Sequence, residues 1–154
     1  MEEVQERIKD WHHNKAKNER DPFFRFLCHW ICFNAWLDYQ SGERTDRQML
    51  EWLKVQSLGS SDLIVSYEVM KNSTDGARNL QYLVASCPIR DSKGRPDINI
   101  ASSDDRNNVI EAIYRIRCNL FHGEKQVSNV RDVELVGYAN RIMTKWIDAL
   151  IAYW

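Results

Sequence analysis

"RIRCNLFHGEK", residues Arg115 to Lys125, closes the segment on which the reading of this chain turns. Working back from it at 100° per residue, Val109, Ile110, Ala112, Ile113, Ile116, Leu120 and Phe121 share one arc of about 180°, with Tyr114 at its edge. The spacing predicts an amphipathic helix, capped by Ser102 or Ser103, running to His122 and ended by Gly123. Arg117 falls inside the apolar arc, between Ile113 and Phe121. A guanidinium facing a core is costly unless charged or hydrogen-bonding partners meet it. His122 lies five residues on and projects about 140° away on an ideal helix. The two side chains converge only if the last turn distorts or a second copy of the site faces the first.

An upstream helix breaks its pattern in the same way. Asp21-Pro22 suits a helix start and Gly42 a helix end, so "FFRFLCHWICFNAWLDYQ" is predicted to be one long helix. Phe23, Phe24, Phe26, Leu27, Trp30, Ile31, Phe33 and Leu37 form its broad stripe, and Asn34 sits at the centre. A buried amide needs partners, and the economical expectation is one polar cluster holding Asn34 and Arg117. Each residue alone has an ordinary structural reading. A mid-stripe arginine pairs with a carboxylate, a histidine caps a helix, and an asparagine satisfies itself in the core.

The rest of the chain reads as helix too. Residues 2–18 carry Val4, Ile8 and Trp11 at helical spacing, with "HHNKAKNER" as a frayed end and His12-His13 solvated. "TDRQ" is a capping box opening a helix from Thr45 to about Ser57. Shorter helical runs lie near Ser61–Lys71 and Ala77–Ser86, divided by "NSTDG". Residues 87–101 lack helical period and read as an exposed loop with a short extended piece at "INI". Ser128 or Asn129 caps a last helix from about Val130. The expectation is an all-α bundle of five or six helices, folded as a single domain over 1–154.

Composition sets the outer limits. A chain of 154 residues with 44% hydrophobic and 28% charged residues has the balance of one soluble globular unit. The net charge of −1 argues against a surface coated in basic patches, so any polyanion site must be local. No apolar run is long enough for a membrane span, and the charged start is not a signal peptide. Four scattered cysteines imply free thiols and a cytoplasmic setting. Cys28, His29 and Cys32 lack a second ligand pair at zinc spacing, which makes them core residues rather than a metal site. No Gly-rich phosphate loop is present. No metal and no cofactor is expected.

"RCNLFHG", together with "WICFNAWL" upstream, resembles the HEPN superfamily of small all-helical domains, whose signature is an arginine, four to six residues, and a histidine. Arg117 and His122 fit with four between. The resemblance covers the second helix and the motif helix best. It implies a HEPN-type bundle that forms a homodimer, bringing two motifs into one cleft, and a metal-independent endoribonuclease activity. Cys118 stands directly after Arg117, where many catalytic members carry a polar residue.

The residue types suit that chemistry. His122 has a near-neutral titration for proton transfer, and Arg117 has a planar fork for phosphate. Asn119 and Asn34 are candidates for orienting the phosphate or the histidine. Arg115 and Lys125 are candidates for holding RNA. From Arg115 to Arg131 four basic residues face one acid, Glu124, a local excess that a dimer would double. The expected activity is RNA cleavage by a toxin or antiviral effector, with an antitoxin or regulatory protein as a further partner. The alternative is a catalytically silent HEPN module that dimerises and binds RNA or a protein.

Overall fold

Asp21 and Gly42 bracket the longest of the early helices as their chemistry requires. The Asp21 carboxylate accepts from the backbone N–H of Phe23 (2.9 Å) and Phe24 (3.0 Å), with Pro22 in the first turn. Gly42 takes φ +66°, and its N–H returns to the Asp38 carbonyl at 3.0 Å. A computed structural model describes residues 1–91, 93–121 and 130–154. Among these are seven α-helices: α1 (Glu2–Asp10), α2 (Pro22–Ser41), α3 (Asp46–Lys54), α4 (Asp62–Asn72), α5 (Thr74–Ala85), α6 (Arg106–Phe121) and α7 (Val130–Tyr153). No strand occurs among the described residues, and no helix there is long and apolar enough to cross a membrane.

The all-α expectation holds, with more helices than the five or six anticipated. The two short runs that lift the count are complete helices with their own caps. Ser61 accepts from Leu63 N–H, and Ser73 from Gly76 N–H. The break at "NSTDG" shrinks to Ser73 alone, because α5 begins at Thr74. Gly76 then lies inside α5, where a Cβ would stand 1.9 Å from the Met70 carbonyl oxygen. Only glycine allows α4 and α5 to meet so closely.

α7 is the element the others pack on, with α2, α4 and α5 laid against it. Its Trp146 is buried against Phe33 (4.8 Å between ring centroids) and Tyr67 (5.1 Å). The indole N–H is satisfied by Leu63 O (2.9 Å) and Ser66 Oγ (3.1 Å). Trp36 and Trp154 both donate to the Asp62 carboxylate, at 2.8 and 3.0 Å, tying α2 and the end of the chain to the start of α4.

Several expectations are corrected. Residues 11–18 are not frayed. Trp11–Ala16 forms a turn of π-helix, with Lys17 N–H bonded to His12 O at 3.0 Å. The wider turn carries His12 inward, so it is fully buried rather than solvated, its Nε2 2.9 Å from Asp148 Oδ1. Ser102 and Ser103 do not cap α6. Asp105 does the work there, accepting from Ala101 N–H (3.0 Å) and Asn108 Nδ2 (2.9 Å), while its carbonyl takes the bond from Val109 N–H (3.0 Å). The segment 87–101 is not simply exposed. Ile89 and Ile98 exchange two backbone hydrogen bonds of 2.8 and 3.0 Å, and both are buried along with Ile100. On the stripes, Phe24, Ile31 and Phe121 prove exposed. Ser128, Asn129 and Gly123, expected as caps, lie outside the described residues.

Candidate functional site

Arg115, Arg117 and Asn119 are spaced so that the middle one points away from the other two. Two residues turn a helix by about 200° and four by about 400°, so Arg115 and Asn119 share a face and Arg117 lies nearly opposite. The contacts follow that geometry. Arg115 Nη1 donates to Pro96 O at 2.8 Å, and its Nε stands 3.5 Å from Asp91 Oδ2. Asn119 is buried, and its Nδ2 donates to Arg90 O at 3.2 Å. Arg131, at the start of α7, donates to Ser86 O (2.8 Å) and Pro88 O (2.9 Å). Together these side chains clamp the 87–101 segment onto α6 and α7.

Arg117 faces α2 and α3 instead. It is half-buried, and its guanidinium stands 3.1 Å from Asp46 Oδ2, the first residue of α3. Aromatic rings surround it. Phe121 lies 4.3 Å from the guanidinium carbon, one turn along the same helix, and Trp30 and Tyr114 each lie at 5.9 Å. Its Nε is buried with no hydrogen-bond partner. A second cation, Arg47, sits 5.0 Å from the centroid of the Tyr114 ring and pairs with Glu111. Burial, with the neighbouring Cys118 adding to it, pushes the Tyr114 hydroxyl's titration upward.

Asn34 does not join Arg117. Its Oδ1 is buried without a hydrogen-bond partner among the described residues, while Arg117 pairs with Asp46 and its Nη1 donates to Cys118 Sγ at 4.0 Å. The expected direct cluster is therefore absent within one chain. Asp46 and Tyr114, which meet Arg117 along with Phe121 and Trp30, gave no sequence signal of a site. An acid in a first helical turn and aromatics on an apolar stripe are ordinary. His122 and Lys125 lie outside the described residues.

Elsewhere the cysteine-histidine group of α2 belongs to the core. His29 Nε2 meets Thr144 Oγ1 at 3.0 Å, and Thr144 in turn donates to Asn140 O at 2.7 Å. Burial, with His12 5.4 Å away between ring centroids, lowers the His29 titration to about 3. His12 is also lowered, chiefly by burial, against the upward pull of Asp148. Burial works to raise the Asp148 carboxyl, but hydrogen bonds from His12 and from Lys17 (2.6 Å) reverse this and hold it well below the usual range. Among the described residues, no three His, Cys, Asp or Glu side chains gather as a metal-ligand set.

Comparison of the chain with protein-family models, with curated proteins and with solved structures finds no match.

Proposed function

We propose that this protein is a metal-independent endoribonuclease of HEPN type, acting as a homodimer in which Arg117 and His122 of two copies line one cleft. The supporting observation is the setting of Arg117. It is half-buried on the motif helix, and among the described residues it has one carboxylate counter-ion and a buried Nε with no hydrogen-bond partner. An arginine so placed is oriented by aromatic rings, and the part of its side chain that remains exposed can meet a phosphate. In the cleavage, the 2′-oxygen forms a bond to phosphorus as the bond to the 5′-oxygen breaks. His122 takes the 2′-OH proton or supplies one to the departing oxygen, and Arg117 neutralises the charge that grows on the phosphoryl oxygens. A toxin or antiviral effector role, with an antitoxin as partner, is the biological setting this activity suits.

The silent-module reading has one observation of its own. The Asp46 carboxylate already occupies Arg117, as it would in a purely structural pair. A cleavage assay on mixed RNAs with purified protein separates the two readings. The parent is expected to cut in the presence of EDTA and leave a 2′,3′-cyclic phosphate on the 5′ product. His122→Ala is expected to lower the rate by about 100-fold or more with an unchanged melting temperature. A folded dimer that cuts no RNA makes the silent module the better reading. A protein that stays monomeric by light scattering, with and without RNA, removes the shared cleft.

A further inference from the structure

Apart from the residues around Arg117, three helices place cations along one groove. Arg25 of α2, Arg78 of α5, and Arg141 and Lys145 of α7 line an open groove of about 520 Å³. Asp75 is the only acid in the lining, so four cations face one carboxylate in a chain whose net charge is −1. That carboxylate is a poor neutraliser. Arg78 Nη1 and Lys145 Nζ each stand 3.8 Å from its oxygens, at the edge of ion-pair range. Arg25 is held in place by its Nε bond to Glu19 O at 2.7 Å. Arg141 is exposed and makes no ion pair or hydrogen bond to the described residues.

The floor and rim carry polar and aromatic groups as well. Asn79 is 3% exposed, donates to Asp75 O at 2.8 Å, and leaves its own carbonyl oxygen without a partner. Tyr82 on α5 is 46% exposed and leans on Tyr138 of α7, ring centroids 5.3 Å apart.

We infer that this groove binds the phosphate backbone of single-stranded nucleic acid. Arg141 and Lys145 are one turn apart on α7, about 6 Å along its axis, so the charges lie in series rather than converging on one point. A row of phosphates satisfies such a series and a lone phosphate does not. The exposed Tyr82 at the edge offers a stacking face that any unpaired base can use. The groove shares no residue with the Arg117 site, and the inference stands whether or not the protein cuts RNA.

Fluorescence anisotropy of a labelled oligouridylate of about 12 nucleotides, titrated with the full chain, tests it. Arg141→Glu with Lys145→Glu is expected to weaken binding at least tenfold and to make the dependence of log K on log salt shallower by about 1.4. Arg7→Glu with Lys93→Glu, the same charge change on exposed positions elsewhere, is expected to leave affinity within twofold. Asp75→Asn is expected to tighten binding, because it removes the competing carboxylate. If the double reversal fails to fold by circular dichroism, Arg141→Gln with Lys145→Gln replaces it, with a smaller loss in the same direction. Parent-like binding by the folded charge variants overturns the inference. So does displacement of the strand by micromolar inorganic phosphate, which marks a small-anion site. Equal binding of an acidic peptide of matched charge overturns it as well.

Discussion

Arg117 shows what a single residue reveals before its surroundings are known. Its position inside an apolar arc is legible from spacing alone, and so is the need for a partner. The identity of the partner is not, because Asp46 lies on another helix and looks like any acid in a first turn. Asn34, the candidate legible from spacing, makes no hydrogen bond to Arg117 among the described residues, since two stripes that each hold a polar residue need not bring those residues together. Asp46→Asn separates the roles of the pair. With both side chains about a quarter exposed, the loss of the counter-ion is expected to cost about 1 kcal/mol of stability. Freed of its internal anion, Arg117 is expected to hold RNA more tightly, and RNA binding rises while the melting temperature falls. If both fall together, Asp46 orients Arg117 rather than competing for it.

At the scale of elements, caps carried the reading. Asp21, Thr45 and Gly42 were recognised for what they do, since each satisfies helix-end groups by local chemistry. The failures are where tertiary contact decides. The 87–101 segment has no helical period, yet Arg115, Asn119 and Arg131 fasten it from two helices far away in sequence. Gly76 looked like part of a turn and is instead a contact point between α4 and α5. Gly76→Ala is expected to force those helices apart and lower the melting temperature by about 5 °C or more, the equivalent of about 2 kcal/mol or more in a chain of this size. An unchanged melting temperature would mean the junction yields freely.

Across the whole molecule, the buried histidines couple folding to acidity. His29 is neutral in the folded chain because burial disfavours its charged form, and burial moves His12 in the same direction against the pull of Asp148. Between about pH 3 and pH 6.5 the unfolded chain therefore binds more protons than the folded one, and stability falls as pH falls through that window. The Asp148 carboxylate adds to the loss only at lower pH, where carboxylates of the unfolded chain take up protons. Melting temperature is expected to decline already between pH 6.5 and 5, ahead of the carboxylates. His29→Gln, which keeps a hydrogen-bonding group near Thr144, is expected to flatten that part of the profile. An identical slope in the variant would assign the acid sensitivity elsewhere. The basic groove belongs to this scale too. Its four cations come from residues 25, 78, 141 and 145, so no short window along the sequence contains more than two of them.

The wide turn at Trp11–Ala16 has a consequence for register. A π-turn holds one residue more than the α-turn it replaces, so it advances the phase of everything before it by about 100° relative to a helix counted straight through. In the phase so set, Ile8 is buried and Val4 packs against the core. An alignment or graft that treats residues 2–16 as one uniform helix turns those two side chains toward water and swings His12 off Asp148. Shortening the turn by a residue is thus a rotation of the first helix as well as a deletion.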